Sequence, residues 1–130
     1  MARMIFINLP VADLELSKRF YQALGFTNNP QYTDDTAACM VLSDTIFVML
    51  LTTAKFASFA PNPICDAHVS TEVLNALSYD TREEIDQLVS TAVAEGGRRY
   101  SEPKDYGFMY QHGFQDPDGH VWEMFYMQAQ

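Results

Sequence analysis

Hydrophobic and polar positions along this chain follow two different periods, and the periods take turns. From Met4 to Val11 the residues are apolar and β-rich, which predicts a strand. Asp13 then stands as the N-cap of a run in which Leu16, Phe20, Ala23 and Leu24 recur at helical spacing, and Gly25 stops it. Asn28-Asn29-Pro30 reads as a turn and Tyr32-Thr33 as a short strand, while Ala37 to Leu42 and Thr45 to Leu51 form a hairpin across Ser43-Asp44. Thr52 to Phe59 is a candidate short helix anchored by Phe56 and Phe59. Pro61-Asn62-Pro63 breaks the chain, and a linker runs on to about Thr71.

After the linker the pattern restarts. Val73 to Tyr79 is strand-like, and Thr81-x-x-Glu84 is a capping box. Ile85, Leu88, Val89, Ala92 and Val93 trace one helical stripe that Gly96-Gly97 terminates. Arg98 to Ser101, Phe108 to Gln115 and His120 to Tyr126 supply three more strands. The order is strand, helix, three strands, twice over, which predicts an α+β fold of two βαβββ modules. Residues 1–130 read as a single domain, with module 1 over about 1–55, a linker over about 56–72 and module 2 over about 73–130. Modules of this size are too small to be comfortable alone, so their sheets are expected to pair into a concave, mixed-sheet cup.

Composition narrows the partners. Hydrophobic residues make up 48% of the 130 and charged residues 19%, a globular balance. The net charge of −9 comes without a basic stripe, which argues against nucleic acid. No apolar run reaches membrane-spanning length, and the N-terminus lacks the features of a signal peptide, so a soluble cytoplasmic protein is expected. Cys39 and Cys65 are expected to be reduced packing residues, with no thiolate zinc site and no disulfide.

The densest chemistry lies near the end. Asp116-Pro117-Asp118-Gly119 is tight-turn chemistry between apolar flanks, a hairpin. In its outgoing strand Glu123 stands among Val121, Trp122, Met124 and Phe125, and a carboxylate in such company needs either water or a partner. By alternation Glu123 and Phe125 share one face while Trp122 packs beneath the helices. His112 lies on the neighbouring strand, where the two side chains would approach across the sheet. Glu123 has two readings: a hydrogen-bond acceptor for Asn8, Tyr110 or a backbone amide, or a functional group, acting as general base or as anionic anchor for a cationic ligand. His68 and His120 read as loop and turn residues.

Leu9-Pro10-Val11-Ala12-Asp13-Leu14 with Ser17, Phe20-Tyr21 and Leu24-Gly25-Phe26, together with Asp116 to Glu123, resembles the two signatures of the vicinal oxygen chelate superfamily. That superfamily holds glyoxalase I, extradiol dioxygenases, fosfomycin-resistance enzymes and bleomycin-binding proteins. Ala38 to Val41, Ser78 to Glu84 and Gly107 to Tyr110 are similar to a bacterial branch labelled predicted lactoylglutathione lyase, although no motif here suits glutathione.

The resemblance implies four metal ligands, a His or Glu on the first strand of each module and a Glu on the last. Counting places the first on Phe6, beside Asn8, and the third on Leu74, beside Asn75. Another should come from Phe47 to Leu51, which offers only Val48, Met49, Leu50 and Leu51. Glu123 alone matches. No metal is therefore expected, with Glu123 and His112 the pair to watch if there is one.

Three functions follow. The first is metal-independent binding of a small organic molecule, with Phe6, Asn8 and Phe125 as ligand-binding residues. The second is a lyase, isomerase or dioxygenase that depends on a divalent metal (Ni, Zn, Fe or Mn). The third is a metal-free enzyme with Glu123 as base and His112 or Tyr110 as acid. A homodimer is implied throughout.

Overall fold

The computed structural model describes residues 2–128. The chain divides into two compact units, residues 1–65 and 66–130.

The first unit runs β1 (Ile5–Val11), α1 (Leu14–Ala23), β2 (Thr27–Asn29), a 3₁₀ turn (Pro30–Tyr32), β3 (Ala37–Val41), β4 (Ile46–Thr52) and α2 (Thr53–Phe59). Its sheet has the order β1-β4-β3-β2, with β1 parallel to β4 and the other pairs antiparallel. Asp13 caps α1 as expected, accepting the Leu16 amide at 3.1 Å. The buried stripe of α1 is Ser17, Phe20, Tyr21 and Leu24, at i, i+3, i+4 and i+7. Leu16 and Ala23, which the apolar pattern placed on that stripe, are exposed. A serine and a tyrosine complete the face instead, a phase that polarity alone hides. The expected turn at 28–30 and strand at 32–33 are exchanged: Thr27–Asn29 is the strand and Pro30–Tyr32 the turn. The Asn29 side chain accepts the Gln31 amide at 3.0 Å, and Pro30 supplies the fixed φ of a first helical position.

The second unit repeats the plan as β5 (Leu74–Ser78), α3 (Arg82–Ala94), β6 (Lys104–Asp105), β7 (Met109–Gln115) and β8 (Val121–Met127), in the sheet order β5-β8-β7-β6. Thr81 Oγ1 accepts the Glu84 amide and donates to its carboxylate, both at 3.1 Å. Ile85, Leu88, Val89 and Ala92 are buried against β7 and β8, while Val93 turns out to solvent. Gly96, at φ 110°, ends the helix as a left-handed cap. The strand expected at 98–101 is reduced to one antiparallel bridge between Arg98 and Gln115, and the edge strand forms at Lys104–Asp105.

The hairpin turn is tied by Asp116. Its Oδ1 accepts the Asp118 and His120 amides at 3.0 and 2.8 Å, and Gly119 supplies φ 91°. No helix of the described residues is long and apolar enough to cross a membrane. Cys39 is buried and Cys65 exposed, both as free thiols.

Candidate functional site

The register of the second sheet decides which side chains can act together. Tyr110 pairs with Tyr126, His112 with Met124 and Phe114 with Trp122, and these six lie on the face that α3 covers. Glu123 pairs with Gly113 on one side and Ala76 on the other, and Phe125 pairs with Gln111 and Ser78. They belong to the opposite face, because successive side chains of a strand alternate. Trp122 is buried beneath α3, as the alternation predicted. The expected approach of His112 to Glu123 across the sheet does not occur. A one-residue offset in register puts the two on opposite faces, so neither a two-ligand metal site nor a Glu123–His112 acid–base pair can form within this sheet. Tyr110 is divided from Glu123 in the same way.

On the helix face Tyr110 donates its hydroxyl to Asp86 of α3, and Arg82 lies 4.9 Å over the Tyr110 ring while its guanidinium meets Asp105 at 2.8 Å. Burial first, then the Asp86 carboxylate, pushes the Tyr110 hydroxyl up to about 12. His112 is 8% exposed with its Nδ1 3.8 Å from Asp86, and neither ring nitrogen makes a hydrogen bond. Its pKa is lowered, chiefly by burial and then by Arg99, against the opposing pull of Asp86. Beside this network a groove of about 260 Å³ runs between the start of α3 and the β6–β7 turn, walled by Arg82, Phe108, Tyr110 and Tyr126.

The other face is simpler. Around Glu123 stand the apolar Leu74, Ala76, Val121 and Phe125 and, diagonally across the sheet, the polar Ser78, Gln111 and Gln115. The Glu123 carboxylate is half-buried and has no hydrogen-bond or ion-pair partner among the described residues. The partners the sequence offered are engaged elsewhere: Tyr110 with Asp86, and Asn8 Nδ2 with the Phe6 carbonyl at 3.1 Å.

One residue of this face was missed by the sequence reading. Two places along from the Arg98–Gln115 bridge, Tyr100 comes beside Gly113, and its hydroxyl points at the Trp122 carbonyl at 3.4 Å. A Cβ on Gly113 would collide with the Tyr100 phenol and with that carbonyl. The phenol therefore fills the space that Gly113 leaves directly across from Glu123. Burial, and then the Glu123 charge, push its pKa up to about 12, so it is a neutral donor at any physiological pH. A glycine inside a strand pattern was the available signal, since such glycines mark close approach.

In the first unit Phe6 and Asn8 share a face with their β4 partners Phe47 and Met49. The Phe6 and Phe47 rings stack at 4.6 Å, and Phe6 is half-exposed. This face is aromatic and apolar, with Asn8 its polar edge.

Comparison with known proteins agrees with the geometry. A family model described as bleomycin resistance protein-like N-terminal matches residues 3–43. The hypothetical protein SA1046 from S. aureus is 31% identical over 97% of this chain and 95% of its own, with a TM-score of 0.82. A glyoxalase/bleomycin resistance protein/dioxygenase family enzyme from Burkholderia phytofirmans PsJN superposes with a TM-score of 0.80 at 19% identity, covering 98% of this chain and all (100%) of that one. The chain has the fold of glyoxalase/bleomycin resistance/dioxygenase proteins. A glyoxalase-related enzyme from Fulvimarina pelagi shares it at a TM-score of 0.79 and 19% identity, over 97% of this chain and 88% of its own. The comparison with curated proteins gives no match.

The likeness of fold to glyoxalase-related proteins raises the question of a divalent metal, and the side chains at the expected positions of each unit do not fit one. The positions that would supply ligands carry Phe6, whose ring is stacked, and Leu74, which is apolar. On that face β4 offers Phe47, Met49 and Leu51. Glu123 is left as a lone carboxylate, where a hard cation needs several oxygen ligands. Among the described residues no group of three or more His, Cys, Asp or Glu side chains could hold a metal ion.

Proposed function

We propose that this protein binds a small organic cation through Glu123 without using a metal. The observation that carries the reading is a half-buried carboxylate that stands between Val121 and Phe125 on its strand face and has no hydrogen-bond or ion-pair partner among the described residues. Burying such a charge alone is unfavourable, and a ligand cation relieves that cost on binding. Phe125 and Leu74 supply the apolar contact that small-molecule sites provide around a few polar anchors. Phe6, with Asn8 at its side, offers the first unit a ring of the same use. The two modules work as one glyoxalase-like domain, in a cytoplasmic homodimer.

The test is an amide chemical-shift titration of the labelled protein with phenethylammonium. Saturable shifts in Val121 to Met127 and at Gly113, lost in Glu123→Gln, are expected. Shifts confined to other segments, or unchanged in the variant, would overturn the reading.

A metal-free enzyme with Glu123 as base is a second reading, favoured by one observation: a neutral phenol, Tyr100, stands on the same face. The acids first considered, His112 and Tyr110, are on the other.

A further inference from the structure

Gly113 and Tyr100 make a polar end for the Glu123 face that has both an acceptor and a donor. Gly113 sits directly opposite Glu123 in the β7–β8 register. Directly opposed residues have Cβ atoms roughly 5 Å apart. Because the Tyr100 phenol occupies the place of the missing Gly113 side chain, it stands about that far from the base of the Glu123 side chain. Its bond to the Trp122 carbonyl is long, at 3.4 Å, so the hydroxyl is weakly held and free to reorient towards a better acceptor. Tyr100 is 41% exposed, so solvent and solutes reach it.

From this juxtaposition we propose that Tyr100 is a ligand-binding residue, and that the ligand class is a cation with a hydrogen-bond-accepting oxygen vicinal to the charge, such as a 1,2-amino alcohol. Glu123 takes the ammonium N–H and Tyr100 donates to the oxygen. A carboxylate accepts and cannot donate, and a neutral phenol beside it supplies the complementary half. The spacing of the two groups suits neighbouring atoms of one small ligand rather than two ends of a long one. An apolar body on the ligand would lie on Phe125 and the exposed Leu74. The inference rests on the reading of this face as a cation-binding site and adds to it the second recognition element.

Two probes that differ by one hydroxyl separate the two claims: 2-amino-1-phenylethanol and phenethylamine, titrated against wild type, Tyr100→Phe and Glu123→Gln. Wild type is expected to prefer the amino alcohol by roughly three- to tenfold, the range of one hydrogen bond. Tyr100→Phe is expected to erase that preference, and Glu123→Gln to weaken both. If the preference survives in Tyr100→Phe, or never appears in wild type although Glu123→Gln weakens both probes, the role of Tyr100 is overturned and the cation site stands. If neither probe binds, or Glu123→Gln changes nothing, the underlying site itself is overturned. Equal melting temperatures for wild type and Tyr100→Phe confirm that the comparison reads binding and not folding.

Discussion

Gly113 stands in the middle of β7, and its lack of a side chain determines what faces Glu123. Substituting Gly113→Ala is expected to destabilise the protein by about 1–3 kcal/mol, because the new Cβ meets the backbone carbonyl of Trp122, which cannot swing away. Thermal melts would check this, and the tyrosine should be displaced from Glu123 at the same time. His112 gives a second residue-level expectation. Its folded-state pKa is lowered, so the folded protein binds fewer protons there than the unfolded chain. Stability attributable to it is full at neutral pH and falls as pH drops below the ordinary value of roughly 6.5, by at most about 1.4 kcal/mol per pH unit. Denaturant titrations from pH 7.5 to 5.5 should show a shallower decline for His112→Gln than for wild type; parallel curves would contradict the assignment. Glu123 was legible in the sequence because one charge interrupted an apolar strand. Tyr100 was not, because its neighbour across the sheet depends on a bridge at Arg98 that carries no periodic signal.

Among the elements, the helices were legible by their ends. Asp13 and Thr81 occupy the N-cap positions they were expected to occupy, and Gly25 and Gly96 both take positive φ. Thr81→Ala should cost about 1 kcal/mol, since it leaves the Glu84 amide without its acceptor and removes the hydroxyl that holds the Glu84 side chain. A chevron or melt series with Thr81→Ser as the rescuing variant measures it. Short strands were the weak point. In the segment 98–101, expected as a strand, only Arg98 pairs, and a two-residue strand forms at Lys104–Asp105 where composition gives no warning. The Tyr106 amide to Met109 carbonyl bond and the Asp105 side chain on the Gly107 amide set that edge by turn chemistry. The apparent closeness of His112 and Glu123 failed for a related reason. Which residues face each other depends on the register, and one step of register exchanges the faces.

Over the whole molecule, the duplicated order of elements was visible before any coordinates, because each half carries its own cap, stripe and hairpin. The two sheets reproduce it, β1-β4-β3-β2 and β5-β8-β7-β6, with a parallel pair at the same place in each. Relatives with this fold are named for glyoxalase, bleomycin resistance and dioxygenase functions, and shared architecture does not choose among them. The proposed cation site rests on the second sheet by itself, where Glu123 stands between Val121 and Phe125 on its strand face and beside Ala76 on β5. The most direct test is a thermal-melt titration of chelator-treated protein with Ni²⁺, Zn²⁺, Mn²⁺, Fe²⁺ and Mg²⁺, beside Glu123→Gln. A native-state site at a hundred times its Kd adds about 2.7 kcal/mol, which a melt resolves. No saturable rise with any metal is the predicted result. A saturable rise that disappears in Glu123→Gln would contradict the account and make Glu123 a metal ligand.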